Sequence, residues 1–104
     1  MNKKQIRSNF RSEVFKRDRF ICKVCGKIGT ELTLNAHHIT DRAMMPNGGY
    51  VKENGITVCE EICHMIVESY HVSGISKEGF SPEDLYALIK SSKQIAIEKS
   101  LKIK

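Results

Sequence analysis

The stretch NAHHITDRAMMPNGGYVKENGITVCEEICH, residues 35–64, decides how this chain folds. It opens near two adjacent histidines, His37 and His38, and closes on Cys63 and His64. Around its start, Leu32, Leu34 and Ala36 alternate with polar neighbours, so ELTLNAHHI predicts a half-buried strand. Residues 44–49 carry a proline, an asparagine and two glycines and predict a loop. GITVC, residues 55–59, is a short β-branched run and predicts a second strand. A helix is predicted from near Glu60, with Ile62, Ile66, Met65 and Ser69 at helical spacing. Glu60 and Glu61 in its first turn suit the positive end of the helix dipole.

The flanks extend this order. NFRSEVFKRD, residues 9–18, predicts a short helix: Phe10 and Val14 lie one turn apart and Phe15 widens the apolar stripe. RFICKVCGK predicts a strand entering a tight turn, with Gly26 free to take positive φ. Residues 73–80 read as a linker. Ser81 as N-cap, Pro82 at the first position and acids in the first turn predict a further helix to about Lys99. Leu85, Leu88 and Ile89 form its stripe, and its expected role is packing. No repeat or low-complexity segment interrupts the chain.

The 104 residues suffice for one small domain, 1–104, with a thin core that a structural metal would help. There is no apolar run long enough for a membrane span, about eighteen residues, and the basic N-terminus lacks the apolar core of a signal peptide. A reducing, cytoplasmic setting is therefore expected, where the four cysteines serve as metal ligands or free thiols rather than disulfides. The net charge of +5 is uneven. Residues 1–27 hold nine basic and two acidic side chains, residues 28–81 three and seven, and residues 82–104 five and three. A basic arm ahead of a mildly acidic middle suits a polyanionic partner.

Cys22-x-x-Cys25 has the spacing of a zinc knuckle, and Cys59 and Cys63 supply a second pair. Four thiolates around zinc make a closed, structural site whose binding energy is folding energy. Cys59 at a strand end and Cys63 on a helix can converge, since residues four apart share a helix face. A redox pair or buried free thiols are the alternatives. His37 and His38 are consecutive on a strand and point to opposite sides. His64 follows Cys63 by about 100° around a helix, so one helix start can feed two sites. Glu68, four residues after His64 and about 6 Å along the axis, is the better partner for it. His71 lies roughly 10 Å along.

The segments RSEVFKRDRFICKVCG, NAHHI, ENGITVC and CH together resemble the HNH (ββα-metal) endonucleases over about residues 7–71. The resemblance implies an α+β domain with a ββα-metal finger, a zinc-knuckle and flanking helices, followed by an accessory helix over 81–99. It implies His37 and His64 as ligands of a catalytic divalent cation, Mg²⁺ or another, with Glu68 at a position where family members often carry a ligand. It implies His38 as general base, Asn54 as the residue orienting it, and a structural Zn²⁺ on Cys22, Cys25, Cys59 and Cys63. One feature departs from the family pattern: CEEICH has one residue more than Cys-x-x-Cys-His.

The activity so implied is metal-dependent hydrolysis of DNA phosphodiester bonds leaving 5′ phosphate and 3′ hydroxyl ends. Arg7, Arg11, Lys16, Arg17, Arg19 and Lys23 are the expected contacts to the nucleic-acid backbone. Such contacts position without reading sequence, so double-stranded DNA with weak sequence preference is the expected partner. The size suits a phage- or mobile-element-encoded enzyme acting in a host cytoplasm, by analogy of fold. The alternative is a non-catalytic, zinc-stabilised nucleic-acid-binding module, which would need the cysteines and the basic arm but not His37, His38, Asn54 and His64. A small redox or metal-handling protein would use the cysteines alone.

Overall fold

A computed structural model describes residues 2–103. Helix α1 spans Lys3–Arg17, strand β1 Leu34–His38, strand β2 Gly55–Cys59, helix α2 Cys63–Ser73, helix α3 Pro82–Leu88 and helix α4 Lys93–Ser100. The architecture is mixed α+β. A two-stranded antiparallel sheet is packed between α1 and α2, with α3 and α4 closing one end. The Cα radius of gyration, 12.6 Å, is that of one packed unit of this length, about 13 Å. Among the described residues no helix is long and apolar enough to cross a membrane.

Helix α1 starts six residues before the expected one. Asn2 accepts from the Gln5 backbone N–H while the Gln5 side chain accepts from the Asn2 backbone, a capping box that stabilises the early turns. The helix buries Phe10, Val14 and Phe15 as the spacing predicts. The strand predicted at RFICKVCGK does not form. Arg19 and Phe20 take left-handed backbone angles after the helix, and only an isolated bridge, Ile21 to Ile28, remains of the pairing. Within this knuckle Gly26, at φ 81°, lets the chain reverse so that the Cys22 N–H reaches the Lys27 carbonyl at 2.8 Å.

The sheet register places Leu34 opposite Cys59, His37 opposite Ile56, and His38 opposite Gly55. Leu32, expected inside, is 87% exposed, because the strand begins only at Leu34 after a turn. Gly55 is demanded by packing. A Cβ there would stand 2.5 Å from Val14 and 2.7 Å from the Phe10 ring, so α1 lies directly on the sheet. Strand β2 is buried along its whole length. Its outer edge is sealed rather than left for another strand. The Thr57 N–H donates to Asp18 Oδ2 at 2.9 Å, and the Thr57 carbonyl accepts from the Lys23 N–H at 2.9 Å.

Arg17 completes that seal. It grips the buried Asp18 with two hydrogen bonds of 2.8 Å, and donates to the Lys52 carbonyl and, at 2.6 Å, to the Gly55 carbonyl. Its guanidinium is thus engaged in holding the fold together.

The connection between the strands, residues 39–54, is built of three 3₁₀ turns at Arg42–Met44, Pro46–Gly49 and Lys52–Asn54. Helix α2 begins at Cys63, not at Glu60. Residues 60–62 form the turn off β2, so Glu60 and Glu61 precede the helix. Its buried face is Cys63 and Val67, whereas Ile62 and Met65 are exposed. The single helix predicted over 81–99 is two. Lys90 takes φ 57°, and Ser92 Oγ accepts from the Ile95 N–H and starts α4. The Ser81–Asp84 capping box and Pro82 stand as predicted. Tyr86 is buried with Leu85, while Leu88 is largely exposed.

Removing the carboxylate of Asp18 leaves a partly buried guanidinium and a buried N–H without their acceptor. Asp18→Ala is therefore expected to lower stability by about 3 kcal/mol. Urea unfolding of the metal-loaded protein would show a lower midpoint, and an unchanged midpoint would refute the importance of the seal.

Candidate metal centres and an adjoining cleft

The four cysteine sulfurs come from two places far apart in sequence. Cys22 and Cys25 sit on the knuckle after α1; Cys59 ends β2 and Cys63 opens α2. One Sγ from each lies within 4.8 Å of all the others, and Cys25 Sγ stands 3.8 Å from Cys59 Sγ. Sulfurs about 2.3 Å from a tetrahedral zinc are separated by about 3.8 Å, so the cluster has the dimensions of that ion's shell. Backbone N–H groups already point at sulfur, among them Cys25 to Cys22 at 3.5 Å and Cys63 to Cys59 at 3.3 Å.

Burial raises the Cys59 thiol, but the N–H groups of Cys63 and Ile62 outweigh it and hold the pKa near 7, at about 7. Burial and the neighbouring sulfurs of Cys59 and Cys22 push Cys63 upward. Four thiols this close cannot all ionise unless a cation shares their charge, which is what a zinc ion would supply. No disulfide joins them.

The extra residue in CEEICH finds its explanation here. Cys59 is not on the helix, so its convergence with Cys63 does not come from a shared helix face. The turn of residues 60–62 carries the chain from the strand end to the helix start, and the Cys63 N–H closes back on Cys59 Sγ. The turn also brings Glu60 to 3.6 Å from His64 Nδ1, with Asn35 Nδ2 donating to the other Glu60 oxygen at 3.1 Å.

The second cluster lies on the α2 face of the sheet. His37 on β1 and His64 and Glu68 on α2 each place one ligand atom within 4.8 Å of the other two. Glu68 Oε2 is 3.2 Å from His37 Nδ1 and 3.5 Å from His64 Nε2. Ligand atoms about 2.1 Å from an ion stand about 3.0 Å apart at right angles and about 3.4 Å apart at tetrahedral angles. The three therefore have the spacing of a divalent-cation site with coordination positions left over. Burial, then the neighbouring charges of His71, His64 and His38, lower the pKa of His37 to about 3, which keeps its imidazole neutral as a metal ligand must be. Glu60 faces the far nitrogen of His64 at 3.6 Å, the side from which a carboxylate can orient a ligating imidazole.

His71 stands apart from this set. Its ring lies 4.9 Å from that of His37, but its Nε2 is 2.9 Å from the His38 carbonyl oxygen, which it supports at the end of β1. Between Glu68 and His71, Glu68 is the one that joins the ligand atoms.

His38 points to the other face, as strand geometry requires. Its ring stacks on Phe10 at 4.3 Å and meets Tyr50 edge-on at 4.8 Å. Burial first, then the charges of Arg42 and His71, lower its pKa to about 4, so it is an uncharged proton acceptor at neutral pH. Its Nε2 is buried without a hydrogen-bond partner among the described residues.

That cleft, of about 330 Å³, is lined by His37, His38 and Glu68 and flanked by Arg7, Arg11 and Arg42. Arg11 is steadied by the Glu31 carbonyl at 2.8 Å and lies over the Phe15 ring. Lys16, Arg19 and Lys23 are exposed but do not line it.

Asn54 sits wholly buried behind the cleft. It accepts from the Thr40 N–H at 3.0 Å and donates to the carbonyls of Thr40 at 3.1 Å and Gly49 at 3.2 Å. Its own carbonyl accepts from the Ile39 N–H at 2.8 Å. The sequence reading missed Arg42 and Tyr50. Arg42 donates to the Tyr50 hydroxyl at 2.9 Å across the loop. Neither has a motif around it, and the one signal was a lone arginine in a mildly acidic stretch. Comparison of the chain with protein-family models, with curated proteins and with solved structures finds no match.

Elemental analysis is expected to find about one tightly held zinc per chain. Cys59→Ser should lose it and with it the cooperative unfolding transition. A metal-free, fully folded wild-type chain would refute the structural site. Glu60→Gln should weaken Mn²⁺ binding at the His37–His64–Glu68 cluster about tenfold, by calorimetry, while zinc content stays unchanged.

Proposed function

We propose that this chain is a metal-dependent endonuclease of the HNH (ββα-metal) type that hydrolyses phosphodiester bonds of DNA. The observation that carries this reading is a juxtaposition. A three-ligand cluster, His37 on β1 with His64 and Glu68 on α2, stands beside the uncharged His38, the next residue of the strand, and His37, His38 and Glu68 line a single arginine-flanked cleft. Two antiparallel strands joined by a loop and followed by a helix are the order such a metal finger has. A zinc-stabilised binding module would keep the cysteines and the arginines. It would give no reason for His37, His38 and Glu68 to line the same cleft, with His64 completing the ligand cluster and Asn54 buried behind it.

In this reading His37, His64 and Glu68 hold the catalytic cation, and Cys22, Cys25, Cys59 and Cys63 hold the zinc. When bound, the catalytic cation would neutralise charge building on the scissile phosphate and the departing 3′ oxygen. The chain supplies the rest. The neutral His38 imidazole presents a ring-nitrogen lone pair, which takes a proton from water as its oxygen attacks phosphorus. The bond from phosphorus to the 3′ oxygen breaks, and that oxygen gains a proton from solvent. The products are a 5′ phosphate and a 3′ hydroxyl. The stack on Phe10 and the edge of Tyr50 fix the plane of the His38 ring. Arg7, Arg11 and Arg42 attract the DNA backbone and Lys16, Arg19 and Lys23 extend that attraction. Contacts of this kind favour duplex DNA with weak sequence preference.

Relaxation of a supercoiled plasmid tests the reading. Wild-type protein should nick with Mg²⁺ or Mn²⁺ and stop with EDTA. His38→Ala should lose at least about a hundredfold in rate while folding and DNA affinity stay near normal. Absence of cation-dependent nicking by the wild type, or undiminished nicking by His38→Ala, would overturn it.

A further inference from the structure

The C-terminal helices lie outside the strand–loop–strand–helix unit, yet one of their side chains reaches its most buried polar group. Tyr86 on α3 is 4% exposed, and its hydroxyl donates to Asn54 Oδ1 at 2.7 Å. The same hydroxyl lies 2.7 Å from Thr40 Oγ1. A hydroxyl has one hydrogen to give, so with Tyr86 donating to Asn54, Thr40 donates to Tyr86. The Asn54 amide is then saturated. Its oxygen accepts from the Tyr86 O–H and the Thr40 N–H, and its nitrogen donates to the carbonyls of Thr40 and Gly49. A flipped amide would set its N–H₂ against the Thr40 N–H and its oxygen against two carbonyls, so the network admits one orientation.

We infer that Tyr86 is a positioning residue for the cleft, acting through Asn54 on residues 39 and 40 and so on the His38 ring at the end of β1. The inference rests on the nuclease reading and adds to it that α3 is part of the cleft's support. The chain of contacts is short. Asn54 ties down Ile39 and Thr40, the two residues that follow His38, with three hydrogen bonds between 2.8 and 3.1 Å. Without the Tyr86 hydroxyl, Asn54 Oδ1 keeps one donor of two and the buried Thr40 hydroxyl loses its acceptor. The loop then gains freedom just where the proton acceptor must be held. Small displacements of a reacting group cost rate rather than substrate affinity.

A neighbouring contact provides the control. Ser91 Oγ, between α3 and α4, donates to the Glu53 carbonyl at 2.8 Å. It joins the same C-terminal segment to the same loop without touching Asn54.

Steady-state nicking by wild type, Tyr86→Phe and Ser91→Ala tests the inference. Tyr86→Phe keeps the ring and removes only the hydroxyl. Its kcat should fall about ten- to a hundredfold with KM within about twofold of wild type, and Ser91→Ala should keep the wild-type kcat. Equal kcat for Tyr86→Phe and wild type overturns the inference and leaves the nuclease reading intact. An equal fall in Ser91→Ala also overturns it, because general loosening of the seam then explains the effect. A wild type that nicks with no divalent cation tested overturns both. Should Tyr86→Phe fail to fold, Thr40→Val removes the other hydroxyl of the network, and a wild-type kcat in that variant overturns the inference.

Discussion

A single turn joins the two metal-ligand clusters. At residues 59–63 the chain leaves the end of β2, bends through Glu60, Glu61 and Ile62, and starts α2 with the Cys63 N–H aimed back at Cys59 Sγ. Consecutive helix residues differ by about 100° in direction. Cys63 therefore turns to the sulfur cluster and His64 to His37 and Glu68. The position of α2 on the sheet follows from the first cluster, and the second cluster follows from the position of α2. With a core this thin, an ion among four sulfurs would give the turn its rigidity, and Glu60 would carry that rigidity to His64.

A second constraint acts from the opposite side. The connection between the strands is sixteen residues long and would be loose by itself. Buried hydrogen bonds from Asn54 gather it, and α3 and α4 brace it through Tyr86 and Ser91, while Asn47 donates to the Ser100 carbonyl at 2.9 Å. The two faces of β1 are thus stabilised by different means. The His37 face is built around groups that suit a cation, and the His38 face around packed rings and a saturated amide. An acceptor and a ligand set can be adjacent in sequence without competing for one ion.

Much of this was legible from spacing. Phe10 and Val14 one turn apart located the buried face of α1, and β-branched GITVC located β2. The alternation through His37 and His38 correctly sent their side chains apart. The two cysteine pairs were readable as one cluster because two closely spaced cysteine pairs are a common sequence form of one tetrahedral thiolate site. Other features were read wrongly, each for a physical reason. RFIC looked like a strand, but residues 19 and 20 adopt left-handed angles that pairing across the knuckle compensates. EEIC looked helical, but a sulfur–amide contact delays the helix to Cys63. Leu88 looked buried, but the break at Lys90 and Ser92 turns Tyr86 inward instead.

What the sequence alone determined was the inventory of chemistry and its order: four cysteines, two adjacent histidines, an asparagine, then a histidine and a glutamate one helical turn apart. Side-chain type and local periodicity carry that information, and both are properties of short segments. The tertiary structure alone decided which groups meet. It chose Glu68 over His71, committed Arg17 to the β2 edge, brought Arg42 and Tyr50 to the cleft, and set Tyr86 against Asn54. Those choices depend on hydrogen bonds and packing between segments up to about fifty residues apart, whose partners no local pattern can specify.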